Sequence, residues 1–249
     1  MRALAAAALL CAVAAAALAD PVIRTARFDS PVARYGHDIL GQTPEWGALR
    51  LGLADCADCP VTSERLLRLP RTAIFEDLAP RLADLDGDGA PEVVVVETRL
   101  DAGARLAVFS ADGLLAATPY IGRKHRWLAP AAIADLDGDG AVEIAYVDRP
   151  HLARVLRIWR YRAGALQPVT EVAGLTNHRI GDAFISGGLR ACPGQRPEVV
   201  LTDPDWSRIL AVTLDAAGKA HVRDRGRLGS ARDFGTAMGC NQANRPSPW

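Results

Sequence analysis

The chain has 249 residues, 49% of them hydrophobic, and its 29 basic and 29 acidic side chains cancel to a formal charge of zero. That balance, with no basic run interleaved with aromatics, excludes the electrostatic footprint of a nucleic-acid binder. The length suits one large all-β domain or two small ones.

Arg2, the apolar run from Ala3 to Ala16 and Ala17-Leu18-Ala19 before Asp20 have the three-part pattern of a secretory leader. The expected leader is 1–19, cut after Ala19, and the run is too short and alanine-rich for a membrane span. Cys11 lies inside the run, the wrong place for a lipoprotein cysteine. The mature product is expected to be one domain over 20–249, periplasmic or secreted. Four cysteines remain: Cys56, Cys59, Cys192 and Cys240. An even count in an exported protein favours disulfides, with three possible connectivities. The preferred pairing is Cys56–Cys59 as a loop clip and Cys192–Cys240 as a bridge between repeats. Redox or zinc roles lack a βαβ context or a second close pair.

Along the mature chain, an acidic residue recurs just before an apolar run, at Glu45, Glu92, Glu143 and Glu198, spaced 47, 51 and 55 residues apart. Turn glycines at Gly113, Gly164 and Gly218 are spaced 51 and 54 apart. Strand-length runs follow at 92–97, 105–110 and 114–120, then at 143–148, 154–161 and 166–172, then at 198–202, 209–215 and 220–223. Short inner strands are expected at 81–85, 131–136 and 182–189. Four strands per unit of about 50 residues is the composition of a propeller blade. A fifth inner strand is expected from Arg232-Asp233-Phe234-Gly235, completed by 22–27 from the other end. The expectation is five blades, with four as the alternative, and no helix after the leader. Asn241 to Trp249 reads as an exposed tail.

Two nearly identical acidic stretches sit before two of these runs. Asp84, Asp86, Asp88 and Glu92 occupy positions 1, 3, 5 and 9 of the first, and Asp135, Asp137, Asp139 and Glu143 repeat them. Four carboxylates in nine residues repel unless a cation lies between them. All-oxygen ligands favour a hard cation, calcium before magnesium, and the position-7 carbonyls of Ala90 and Ala141 are further ligand candidates. An EF-hand is excluded, because position 12 is Val95 or Tyr146 and strands follow.

Asp-x-Asp-x-Asp-Gly followed by an acidic residue and a strand resembles the FG-GAP/VCBS-type repeat. The resemblance implies a β-propeller of the integrin α-head kind, with the acidic loops as calcium sites, here about two ions. Glu92 and Glu143 stand where the family usually has Asp. The first and fourth repeats lack the loop, and no calcium is expected there.

On the opposite face, the lead-in segments hold Tyr35 and His37, Glu76 and Asp77 after Phe75, Arg126 and Trp127 after His125, and Asn177, His178 and Arg179. An aromatic rim with Arg, Asn and carboxylates suits a sugar or an acidic ligand. The competing reading is that Trp127 and Phe75 pack between blades while the charges pair. A transition-metal site from His37, His125 and His178 and an acid–base pair of Glu76 with His178 are further options. Asp205-Trp206 reads as a chance WD dipeptide, and Arg154, Arg157, Arg160 and Arg162 as a solvated outer strand. No hydrolase, metalloprotease or phosphate-loop motif appears. The expected role is non-catalytic: binding or scaffolding for a carbohydrate or protein ligand. The alternatives are an enzyme on the rim and a subunit of an envelope assembly.

Overall fold

β-Branched runs separated by glycine turns set the architecture of the computed structural model, which describes residues 21–240. The expected leader and the 241–249 tail lie outside the described residues. Strands β1 (Val22–Val32), β2 (Glu45–Ala54), β3 (Ser63–Arg68), β4 (Ala73–Phe75), β5 (Arg81–Ala83), β6 (Glu92–Arg99), β7 (Gly103–Ser110) and β8 (Gly113–Ala117) form one antiparallel sheet. Its order is β1-β2-β4-β6-β7-β8, with β3 on β2 and β5 on β6. Strands β9 (Leu128–Ala134), β10 (Glu143–Asp148), β11 (Val155–Arg162) and β12 (Ala165–Ala173) form a four-stranded meander. Strands β13 (Gly188–Arg190), β14 (Glu198–Thr202), β15 (Arg208–Leu214) and β16 (Ala220–Arg227) form another, followed by helix α1 (Ala231–Met238). The β5-β6-β7-β8 part of the first sheet repeats the same meander. The fold is therefore an all-β, propeller-type stack of four-stranded blades.

The central strand of each meander buries both faces, which explains its continuous apolar run. Val93 and Val95 of β6 join a core with Leu49, Leu51 and Phe75, while Val94 and Val96 join Leu128, Ile144 and Tyr146. In β10, Ile144 and Tyr146 face that second core, and Ala145 and Val147 face a third with Val199, Leu201 and Val212. Period-2 alternation thus feeds two cores from one strand and holds successive blades face to face. Each fully buried Val or Leu contributes about 1.5–3 kcal/mol.

Three expectations need correction. Residues 231–238 are helical rather than a fifth inner strand. The Asp233 carboxylate accepts the Ser230 and Gly229 N–H groups, at 2.7 and 2.8 Å, and so starts a helix where a strand was expected. Residues 22–27 pair with β2 inside the first sheet rather than with the C-terminal end. The expectation of no helix falls with α1. The cysteine pairing agrees: Cys56 is bonded to Cys59 and Cys192 to Cys240, with Cα atoms 5.0 and 5.4 Å apart.

The segment from Tyr35 to Gly41 reaches across to the other sheets. Leu40 is buried in the core that holds Leu85, Val94 and Trp127. The His125 N–H donates to Tyr35 Oη at 2.6 Å, 90 residues away. A Cβ at Gly41 would stand 3.5 Å from the Gly181 carbonyl oxygen.

Candidate functional site

The two acidic stretches fold into the same loop. Gly87 and Gly89 take φ of 79° and 87°, and Gly138 and Gly140 take 81° and 87°, conformations that only glycine adopts without strain. In the first loop Asp84 accepts the Gly87 and Gly89 N–H groups at 2.8 and 3.0 Å. Asp86 and Asp88 accept those of Asp88 and Ala90 at 3.3 and 2.7 Å, and Glu92 accepts that of Leu85 at 2.9 Å. The matching bonds of the second loop are 2.7, 3.0, 3.2, 2.8 and 2.8 Å. Asp84, Asp86 and Glu92 bring one oxygen each within 4.8 Å of one another, as do Asp135, Asp137 and Glu143. Asp88 and Asp139 lie outside these trios, and Ala90 and Ala141 follow them on the same turns.

The donor set fits a hard cation. All the side-chain ligands are carboxylate oxygens. Burial pushes Glu92 above the usual carboxylate range, against the Leu85 hydrogen bond, and Asp86 and Asp88 push it further. Among the described residues, none of the four first-loop carboxylates has a basic partner within ion-pair distance. Such a cation would be held by Asp84, Asp86 and Glu92, and its chemistry would be charge neutralisation.

The second loop differs. Arg160 of β11, directly opposite Glu143 in the ladder, donates from Nε to Glu143 at 2.6 Å and pairs through Nη1 with Asp139 at 3.0 Å and through Nη2 with Asp137. Glu143 first and Asp137 next raise the Arg160 pKa, while burial raises Glu143 itself. Arg196 ties the loop to the next blade by donating to the carbonyls of Asp137 and Leu214 at 3.0 and 2.9 Å. The expectation of a solvated arginine strand is therefore overturned at Arg160 and also at Arg157, which pairs with Asp148 and Glu171. The other two marker glutamates are buried as well. Glu45 accepts the N–H groups of Tyr35 and His37, and Glu198 pairs with Arg190 and Arg225.

The lead-in segments do converge, but mostly as a buried polar network. Glu76 accepts from His37 Nδ1 at 2.6 Å and from Thr98 Oγ1 at 2.8 Å, and burial raises its pKa. The Trp127 indole is buried and donates to the Glu76 carbonyl at 2.8 Å. Asp77 accepts from the Leu78 and Val96 N–H groups and from Arg81. Asn177 donates to the Pro130 carbonyl at 3.1 Å. His178 Nε2 lies 2.9 Å from the Asp182 carbonyl, which only accepts, so this nitrogen carries the proton. Its Nδ1 is then the acceptor for His151 Nε2, at 3.0 Å. Burial, with His178 beside it, pulls His151 down to about 4, and burial also lowers His178, so both rings are neutral at pH 7. The hydrogen-bond partner of Glu76 is His37, while His178 bonds to His151 and the Asp182 carbonyl. The rings of His37 and His125 stack at 5.0 Å. With Arg126, Arg149 and His151, they line a cavity of about 30 Å³.

A larger cavity of about 240 Å³ lies beside the fourth lead-in, lined by Arg179, Phe184, Ser186, Trp206, Ser230 and Phe234 among others. The Arg179 guanidinium stacks 4.3 Å from the Trp206 ring centre. Trp206 sits at φ 57°, uncommon for a bulky residue, in a turn where Asp203 accepts the Ser207 and Arg208 N–H groups. Phe184 is 58% exposed. Sequence reasoning found Arg179 but set Trp206 aside, and only its place at a turn pointed to it.

Residues 84–146 match the family model of the FG-GAP-like repeat, the stretch that holds both acidic loops. FG-GAP-like repeats on a β-propeller-type fold thus describe this part of the chain. No curated protein sequence matches the chain. Among solved structures, it is similar to the exotype rhamnogalacturonan lyase YesX, with 15% identity and a TM-score of 0.36. The alignment covers 72% of this chain and 40% of the lyase, so the chain spans less than half of that protein's length. No helix among the described residues is long and apolar enough to cross a membrane.

Proposed function

We propose that the protein is an exported, calcium-stabilised β-propeller module that binds a carbohydrate or protein ligand without transforming it. The observation that carries the calcium reading is the first acidic loop, where three carboxylates converge, one of them buried, with no basic partner among the described residues. The two disulfides fit an oxidising compartment, periplasmic or extracellular. The ligand seat is the cavity at Trp206, where two further aromatic rings, Arg179 and Asp182 surround a space sized for a sugar unit. Of the rim residues named from the sequence, Arg179 lines this seat. Screening the mature protein against oligosaccharides, with Trp206→Ala and Arg179→Ala beside it, tests the reading. At least about tenfold weaker binding in each variant is expected. Equal binding by folded variants would reject the seat, and binding to no glycan would turn the search to protein ligands.

A second reading is an enzyme on the rim, favoured by the 2.6 Å His37–Glu76 pair beside an open cavity. Its test is turnover that disappears in both Glu76→Gln and His37→Ala while ligand binding persists.

A further inference from the structure

The two acidic loops share one backbone but not one charge balance. We propose that Arg160 is an internal cation that competes with calcium for the 135–143 loop. The loops then fill in sequence, 84–92 first and 135–143 only as the guanidinium leaves. This rests on the calcium reading above and concerns what the chain's own arginine does to it.

The guanidinium is itself a cation seated in the second cluster, and it holds oxygens that a metal ion would need. Asp137 Oδ2 and Glu143 Oε1 both accept from Arg160, and Asp139 Oδ2 pairs with it. The remaining Glu143 oxygen accepts the Leu136 N–H, and both Asp135 oxygens accept glycine N–H groups. In the first loop, Asp86 and Glu92 make their matching backbone bonds but, among the described residues, no ion pair.

The difference lies in the neighbouring strand. The β10–β11 ladder sets Glu143 opposite Arg160 and Ile144 opposite Trp159. The β6–β7 ladder sets Val93 opposite Phe109, so one step back places Ser110 where β11 has Arg160. The fourth repeat extends the series: its loop carboxylates are gone, and Glu198 is paired with Arg190 and Arg225. One buried glutamate position is therefore neutralised in three ways. The second repeat would use a metal ion, the fourth uses arginine, and the third has the ligands for one and the side chain for the other.

Competition predicts two classes of site. A bound calcium close to the guanidinium meets direct repulsion and lacks two ligand oxygens until Arg160 swings out. Calorimetric titration of the metal-stripped mature protein with calcium reads this directly. Wild type is expected to show two classes at least about tenfold apart in Kd, about 1.4 kcal/mol. Arg160→Gln is expected to tighten the weaker class to match the stronger, and Asp86→Asn to remove the stronger class alone. Ser110→Arg, a change at a partly exposed position, is expected to weaken the stronger class at least about tenfold. Two equal sites in wild type, or a weaker class unmoved by Arg160→Gln, would overturn the role of Arg160 and leave the calcium reading intact. No calcium bound by any variant would reject that reading itself, and this proposal with it.

Discussion

The 84–92 and 135–143 loops match hydrogen bond for hydrogen bond, yet among the described residues one has no basic side chain on its carboxylates and the other folds around Arg160. The comparison separates two causes usually read as one. Backbone shape here comes from local residues: the glycines at positions 4 and 6 and the aspartates that cap their N–H groups. Charge balance comes from a residue 17 positions beyond Glu143, delivered by strand pairing. A loop motif therefore specifies where ligands stand, while its neighbour decides what they hold.

The largest expected effect breaks the comparison at its paired side. Arg160→Ala in chelator leaves Asp137 and Glu143 buried without a cation, at a cost of about 3 kcal/mol, or about 6–12 °C in Tm. Calcium should restore most of this loss, and a drop below about 2 °C would mean that Arg160 is dispensable. Next comes chelation of the wild type, expected to cost about 1–3 kcal/mol at the first loop. Thermal melts of Asp86→Ala should lose the first loop's share of the response to chelator. Smaller still, Ser110→Arg should give the first loop its own counter-charge. Its Tm in chelator should rise by about 1 kcal/mol equivalent or less, and the calcium increment should shrink.

The smallest effect lies away from both loops and serves to isolate them. His151 falls from 6.5 to about 4 on folding, so between these values the unfolded chain binds more protons. Its stability contribution is complete above about pH 6.5 and is lost as pH falls toward 4. Burial sets this direction, charge repulsion from His178, His37 and Arg154 adds to it, and the hydrogen bond with His178 opposes it. With its half-exposure screening the charge, about 1 kcal/mol is expected. His151→Asn should flatten that part of the pH–Tm curve, and an unchanged slope would move the effect elsewhere.

What the sequence made legible follows the same division. The acidic loops, the repeat period and the apolar strand runs are local patterns, and the fold carries them. The role of Arg160 was hidden because it depends on ladder register, and a run of alternating arginines looked like a solvated strand. For the rim segments the competing reading is the one the fold carries: Trp127 and Phe75 are buried, and Asp77 pairs with Arg81. Trp206 escaped because its cavity is assembled from three stretches, around 179–186, 206 and 228–234. Residues 232–235 misled because their spacing matched the repeat, although Ser230 with Asp233 three residues on already spelled a helix start.

The bond from His125 to Tyr35 spans 90 residues, and Leu40 beside it packs against Leu85 and Trp127. Glu45 and Glu76 can hold this segment early, but the Tyr35 hydroxyl has its His125 partner only once the chain reaches the third repeat. Closing so long a loop is entropically costly, which makes this contact a late event in folding. Until then the Tyr35 hydroxyl and the His125 N–H stand without this bond, and the interval between synthesis of residue 35 and residue 125 is when this contact cannot yet restrain the chain.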